Sequence, residues 1–448
     1  MQKTTSLEKL LSFKHIVILS IPIFLELLLQ IVVGYSDQVM ISKDQDAVTA
    51  ITNTNSIVNV FIIAFQVFSV GAIILISHYK GSKNYDGEKS VYSVSFLLAV
   101  MIGLISSIIL IIFPRNFFTW VGLDSSCMDK GILYMRIIGG FLFLQAVLST
   151  ISAFLKSNSY MKDSTIINAI VNILNIIGNF ILIPNFGILG VAISSVISRF
   201  IGVIIISIVF VKRVKVNIFR HPIKNFDFTV MKKIFGIGGP SASESLSYNL
   251  SQILVLAIVN GLGNKGLVNL RAYILMFANV TYLFTIAVSQ AMQVVIGELI
   301  GMGKVKETRT KVHQTMILSA ISSTIISIIL LILGENILKV FNISDPELLR
   351  ISKILLTIQL VLEFGRGFNI VYIKALQTMG DVVYPTIISI IFCWSIAVFG
   401  GYLLGGKDVW LNLGLIGIWI AMAVDECVRA VIFIFRFKGK KWERKLII

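Results

Sequence analysis

The sequence predicts an all-α polytopic membrane protein with twelve transmembrane helices in two homologous six-helix bundles, related by a pseudo-twofold along the membrane normal. Three observations carry this. Hydrophobic residues make up 56% of the 448 and charged residues only 14%, with a mean hydropathy of +0.89, a composition no soluble domain has. Apolar runs of about 20 residues, enough for about 30 Å of hydrocarbon, recur along nearly the whole chain. One motif, Pro-x-x-x-Glu, heads an apolar run twice, as Pro22 to Glu26 and as Pro240 to Glu244, an offset of 218.

The runs fall at roughly 16–36, 56–78, 91–113, 132–155, 165–184, 188–212, 234–260, 273–300, 313–333, 350–374, 384–405 and 413–436. The first has no small-residue cleavage site and carries Glu26, so it reads as a retained helix and not a signal peptide. Pro22 gives it a weak point at which to bend. The second ends ISHYKGSKN and the eighth IGELIGMGK, with Gly81 and Gly301 at an offset of 220. The third and ninth rest on apolar length alone. After the fourth comes LKSNSYMKDSTII from Leu155, and after the tenth LQTMGDVVYPTII from Leu376, an offset of 221. NFGILGVAI from Asn185 leads into the sixth, and NLGLIGIWI from Asn412 into the twelfth, an offset of 227. The offset grows along the chain and never reverses, which predicts one full duplication. Six helices per half is even, so both halves enter from the same side, with a cavity between them. The expected organisation is an N-lobe at 1–213, a basic linker at 214–233 and a C-lobe at 234–448.

Roughly two thirds of the 39 Lys and Arg fall in the termini and the even-to-odd loops, which places both termini in the cytoplasm. The most basic loop, Lys212 to Lys233, carries Arg213, Lys215, Arg220, Lys224 and Lys232. It reads as a topology determinant between halves and not as a nucleic-acid site, so the net charge of +16 is largely a membrane signature. Cys127, Cys393 and Cys427 form no disulfide framework or metal spacing. His15, His78, His221 and His313 are too scattered for a metal site. No His-Glu-x-x-His, phosphate-binding loop or Gly-x-Ser-x-Gly occurs, which argues against a protease, a nucleotide-driven pump and a hydrolase.

The polar residues inside the runs are the candidates for function, because a carboxylate in a span costs about 2.5–3.5 kcal/mol. Glu26, Gln30 and Asp37 share one face of the first helix, and Asn168, Asn172, Asn175 and Asn179 form an amide stripe on the fifth. Amides of this kind either bond neighbouring helices, at about 0.6 kcal/mol per pair, or line a hydrated cavity with Asp37 as its ionisable group. In the second half, Glu244, Tyr248 and Gln252 line one face of the seventh helix, and Gln359, Glu363 and Arg366 one face of the tenth. Glu363 and Arg366 stand level between a locked ion pair and a substrate or ion role. Asp425, Glu426 and Arg429 on the twelfth read as a structural ion pair. Glu298, Arg199 and Arg136 sit where long side chains can snorkel, so a solvated position is expected.

Taken together, VVGYSDQVMIS around Asp37, LNIIGNFILIPNFGILGVAIS from Leu174, GIGGPSASESL from Gly236, LEFGRGFNIVYIKALQTMGD from Leu362 and LIGIWIAMAVDECVRAVI from Leu415 resemble the multidrug and toxic compound extrusion (MATE) family over essentially the whole chain. The resemblance implies two six-helix bundles around a V-shaped cavity and export of organic cations or amphipathic compounds in exchange for sodium or protons. It implies no other cofactor, a monomer, and a place in the bacterial cytoplasmic membrane. Carried over, Asp37 matches the helix-1 aspartate that couples transport in the N-lobe, and Asn175 the helix-5 asparagine beside it. Many members have a second aspartate where this chain has Asn179, and some branches place their helix-7 acid where it has Tyr248 in place of Glu244. The coupling ion is therefore not inherited.

A carboxylate in a partly dry cavity can take up a proton near neutral pH or bind sodium with neighbouring amide oxygens. Either removes the charge that attracts a cationic substrate, which is the basis of antiport. The alternative is a lipid-linked oligosaccharide flippase of the same superfamily, which needs a more cationic cavity to hold a pyrophosphate. An intramembrane enzyme lacks a nucleophile and base at any recognisable spacing, and a channel fits two related lobes less well than alternating access does.

Overall fold

The structure, a computed structural model, describes residues 6–216, 218, 226–340, 343, 345–439 and 441–443. Of the basic linker, Arg220, His221 and Lys224 lie outside the described residues. Among the described residues all regular structure is helical and no strand occurs. After a short α1 (Ser6–Leu11), the long helices are α2 (Phe13–Met40), α3 (Gln45–Gly81) and α4 (Tyr85–Ile112). The short α5 (Pro114–Trp120) leads to α6 (Ser125–Gly140), α7 (Leu142–Ser157), α8 (Met161–Phe186) and α9 (Ile188–Val214). The second half holds α10 (Phe228–Gly261), α11 (Lys265–Gly301), α12 (Val305–Val340) and α13 (Pro346–Thr378). It ends with α14 (Val383–Phe392), which runs through a π-helical stretch, Cys393–Gly400, into α15 (Gly401–Gly405), and with α16 (Leu415–Lys438). Nine helices among the described residues are long and apolar enough to cross a membrane, and α6 with α7, bent by 41° at their junction, make a tenth such span. The remaining long helices, α10 and α16, are more polar, α16 because of Asp425, Glu426 and Arg429.

Local signals repeat between halves as closely as the sequence offsets predict. Asp44 caps α3 by accepting from Ala47 N at 3.1 Å, and Asn264 caps α11, which has the same 37-residue length, from Gly266 N at 2.8 Å. Asp124 and Asp345 cap α6 and α13 in the same way, from Ser126 N at 2.8 Å and Glu347 N at 2.9 Å. Left-handed turn residues also pair off: Lys83 with Gly303, Ser159 with Gly380, and Gly187 with Gly414. Gly187 alone separates α8 from α9, whereas Gly406 to Gly414 separate α15 from α16, which is where the offset steps from 221 to 227. Asp44 also receives Lys130 Nζ at 2.7 and 2.8 Å, which holds its carboxyl below the usual range. That contact is complete above the ordinary carboxylate range and is lost only as pH falls through the lowered value.

Packing divides the chain into two compact units, Leu25–Ala242 and Met1–Phe24 with Ser243–Ile448. We call them the N-terminal and C-terminal units. α2 and α10 therefore each begin in one unit and finish in the other, changing over just after Pro22 and Pro240. The first part of α10 packs on α3: Phe235 meets Phe68 edge-on at 5.8 Å, and Lys233 Nζ lies 5.6 Å from the Tyr79 ring centroid. The first part of α2 packs in the C-terminal unit, where Phe24 meets Phe284 edge-on at 5.4 Å. Just before α2, the Leu11 carbonyl accepts from the buried Lys311 ammonium.

The α10–α3 approach is close enough to require glycine. A Cβ at Gly238 would stand 1.9 Å from the Val67 carbonyl oxygen, whereas one at Gly236 would meet nothing within 4 Å. Gly238→Ala should therefore destabilise the protein by about 1–3 kcal/mol through overpacking. Gly236→Ala should leave stability unchanged or raise it by up to about 1 kcal/mol through helix propensity. Thermal unfolding midpoints in detergent distinguish the two, and equal shifts would contradict the close approach.

Candidate functional site

In the N-terminal unit the amide stripe of α8 faces two elements, α2 and α9. Asn168 Nδ2 donates to Glu26 Oε1 at 3.0 Å, Asn175 Nδ2 to Ser195 Oγ on α9 at 2.9 Å, and Asn179 Nδ2 to Asp37 Oδ1 at 2.6 Å. Asn175 and Asn179 are buried, and Ser194 Oγ secures the α8 backbone through Asn175 O at 2.7 Å. Several polar atoms are nevertheless left without a partner: Asn172 Nδ2, Asn175 Oδ1, Asn179 Oδ1 and one guanidinium nitrogen of Arg199. Buried polar atoms in native structures are nearly all satisfied, so this group is where water, an ion or a ligand fits. Asp37 holds the one carboxylate bonded to this stripe's far end, and Arg199 and Tyr134 interact electrostatically with it.

Glu26 lies elsewhere. Its Oε1 sits 2.8 Å from Lys156 Nζ, and its Oε2 accepts from Thr165 Oγ1 at 3.4 Å. The Glu26 side chain is buried at 4% exposure and that of Lys156 partly buried at 13%, so this carboxylate already has a counter-charge. Gln30, on the same helix, is exposed.

In the C-terminal unit the ionisable residues of α13 and α16 form one connected network. Arg366 pairs with Glu363 at 2.5 Å and with Glu426 at 3.2 Å. Arg429 pairs with Asp425 at 2.5 Å and with Glu426 at 3.3 Å. Amides close the rest: Gln359 Nε2 donates to Glu363 Oε1 at 2.7 Å, Asn369 Nδ2 to Glu426 Oε2 at 2.6 Å, and Trp419 Nε1 to Gln359 Oε1 at 2.8 Å. Three carboxylates thus face two guanidiniums, and Glu363 Oε2 has no partner. Glu244, on α10, accepts from Gln377 Nε2 at 2.9 Å and forms no ion pair within 4 Å among the described residues. Tyr248, one turn on, interacts electrostatically with Arg366 and Arg271.

A pocket of about 560 Å³ opens in the same unit between α10 and the π-helical stretch, lined by Leu254, Ile258, Trp394, Phe399, Tyr402 and Lys407. Ser247 and Ser251 tie the two elements together, accepting from Trp394 Nε1 at 2.8 Å and Cys393 Sγ at 3.1 Å. π-helical segments often mark functional positions, and here one supplies Trp394, Val398 and Phe399 to the wall of a mainly apolar pocket.

A single-chain protein with apolar spans, two units of repeated architecture and buried charge networks has the build of a transporter, and comparison settles which kind. The MatE family profile matches residues 22–181 and 240–403. The chain belongs to the MatE family. It is 30% identical to the uncharacterized transporter YisQ of Bacillus subtilis over 95% of this chain and 94% of that one. It is 23% identical to the probable multidrug resistance protein NorM of Thermotoga maritima over 97% and 94%. Its fold matches MATE in the straight conformation with a TM-score of 0.88 at 17% identity, covering 99% of this chain and 100% of the other. It also matches a MOP superfamily transporter from Pyrococcus furiosus with a binding pocket of reverse polarity, with a TM-score of 0.87 at 18% identity and 98% coverage of each. This MatE protein is thus an all-helical transporter of a multidrug efflux family.

Two sequence expectations need correction. Glu298 is buried, at 8% exposure, because the last turns of α11 are enclosed on all sides from Ala291 to Ile300. Arg199 does not snorkel to water with its whole guanidinium, since it lies well inside α9 with one nitrogen enclosed. Arg136 is exposed, as its position near a helix end implies. Lys156, Asn369 and Gln377 were invisible as site residues, because each answers a carboxylate on a different helix.

The C-terminal network yields a stability test. Arg366→Ala leaves Glu363 and Glu426 under-compensated and should cost about 3–5 kcal/mol. Arg213→Ala removes a half-exposed pair with Asp163 and should cost less than about 1 kcal/mol. Equal unfolding midpoints for the two variants would show that the buried network is not held by Arg366.

Proposed function

We propose that this MatE protein is a secondary active exporter of organic cations or amphipathic compounds, working by antiport with sodium or protons through alternating access. The observation that carries the reading is the surplus of negative charge among membrane-embedded groups. Of the carboxylates inside the spans of α10, α13 and α16, Glu363, Asp425 and Glu426 each have a guanidinium within 4 Å, whereas Glu244 has only an amide. In the N-terminal unit Asp37 likewise bonds to an amide and forms no ion pair within 4 Å among the described residues. Charges so placed need a mobile partner, which a coupling ion or a cationic substrate supplies. The aromatic, mainly apolar pocket beside α10 supports an amphipathic cargo, since large apolar surfaces and an aromatic face suit lipophilic cations.

The polarity argues against the flippase reading. Asp37, Glu244, Glu363, Asp425 and Glu426 outnumber Arg199, Arg271, Arg366 and Arg429, whereas a pyrophosphate calls for the reverse. The reading places a monomer of twelve spans in the bacterial cytoplasmic membrane with both termini in the cytoplasm, as the distribution of Lys and Arg supports.

The test is efflux of a fluorescent organic cation from energised vesicles. Asp37→Asn and Glu244→Gln each keep shape and hydrogen bonding but remove the charge, so each should reduce gradient-driven efflux to background while the protein stays folded. Wild-type rates in both variants would overturn the reading.

A further inference from the structure

The two copies of Pro-x-x-x-Glu occupy matching places in their units but meet different partners. Glu26 is answered by the Lys156 ammonium at 2.8 Å, whereas Glu244 is answered by the neutral Gln377 amide at 2.9 Å. Lys156 and Gln377 are equivalent positions. Each is the next-to-last residue of its helix, α7 or α13. Three residues on, Ser159 and Gly380 take φ of 65° and 88°. Tyr160 N and Asp381 N then close the same turn onto Leu155 O and Leu376 O, at 2.9 and 3.0 Å.

The same register extends into the next helix. Thr165 and Asn168 of α8, which both donate to Glu26, correspond to Thr386 and Ser389 of α14. Thr386 and Ser389 are 5% and 3% exposed, and neither hydroxyl oxygen has a hydrogen-bond partner. The N-terminal copy is therefore a carboxylate with a tethered ammonium and its polar neighbours used. The C-terminal copy is a carboxylate with no cation within 4 Å among the described residues, only the longer-range fields of Lys374 and Arg429, and with two unused hydroxyl oxygens at the equivalent positions. Lys374, the nearest basic group on α13, donates to Gln377 Oε1 at 3.3 Å instead of pairing with Glu244.

We propose that Lys156 is a tethered substitute for an exchangeable cation, and that the equivalent place in the C-terminal unit is a sodium site built from Glu244, Thr386 and Ser389 beside Gln377. A proton on one carboxylate oxygen gives a single O–H donor, which can engage one hydroxyl oxygen at most and leaves the other unused. A hard monovalent cation takes several oxygen ligands at once, which matches the donor set. The consequence is an asymmetric pair: the N-terminal copy is permanently loaded by its own lysine, and only the C-terminal copy exchanges. This rests on the reading that a surplus carboxylate of the C-terminal unit takes the coupling ion.

The test is equilibrium binding of radioactive sodium to the purified full-length protein, with folding checked by thermal unfolding. Wild type should bind sodium saturably. Glu244→Gln should abolish binding, and Thr386→Val should weaken it about tenfold by removing one ligand. Lys156→Gln should roughly double the sodium bound by opening the second copy, and Glu26→Gln combined with Lys156→Gln should return it to the wild-type level. Gln377→Lys is the reciprocal variant and should abolish binding by delivering an ammonium to Glu244, which keeps the proposal testable even if Lys156→Gln fails to fold. Sodium binding insensitive to Glu244→Gln and Thr386→Val, or unchanged in Gln377→Lys, overturns the proposal. So does a folded Lys156→Gln protein that binds no more than wild type. Proton-driven efflux with no sodium binding sinks the sodium site and leaves the exporter reading intact. Sodium binding without efflux under any gradient does the opposite.

Discussion

A charge inside a bilayer-spanning bundle must find a partner, and most of the side-chain organisation of this protein follows from that requirement. A buried pair gains little net stability, because desolvation offsets most of the Coulomb attraction, yet losing one partner is expensive. Pairs of this kind join segments far apart in the chain: Glu26 with Lys156, Glu426 with Arg366, and Asp381, in the turn before α14, with Arg436 at 2.7 Å. They fix which helix faces meet. Once they are formed, the carboxylates left with only amides are few, and they are the groups a transport cycle can use.

The duplication shows which features the architecture needs and which it lets diverge. Caps, left-handed turns and the two proline-marked changeovers recur in both halves. The buried chemistry does not. The amide stripe of α8 has its charge on α2 and α9, whereas α13 and α16 carry their own carboxylates and guanidiniums. α13 runs unbroken where its counterpart is split into α6 and α7. A backbone plan that repeats can thus hold two different electrostatic sites.

Much of this was legible in the sequence, for a definite reason. Spacing of 3, 4 and 7 reads the face of one helix, so the stripe from Asn168 to Asn179 and the run Gln359, Glu363, Arg366 could be seen directly. Motif offsets read the duplication, and the turn residues at Ser159 and Gly380 carry it into the backbone. Spacing says nothing about which other helix a face meets. That is why nothing in the sequence marks Lys156 as the partner of Glu26 or Asn369 as that of Glu426, and why Arg199 reads as a solvated residue. The π-helical stretch Cys393–Gly400 has no periodic signature distinct from an α-helix over so few residues. The break before α7 had only the Gly139–Gly140 pair to announce it.

The central claim is that one copy of a duplicated carboxylate is locked and the other is free. Sodium-induced infrared difference spectra of the membrane-reconstituted protein test it most directly, because a carboxylate that gains or loses a cation shifts its stretching bands. The account predicts carboxylate difference bands in the wild-type protein that disappear in Glu244→Gln and remain in Glu26→Gln. Bands that vanish in Glu26→Gln and persist in Glu244→Gln would contradict it.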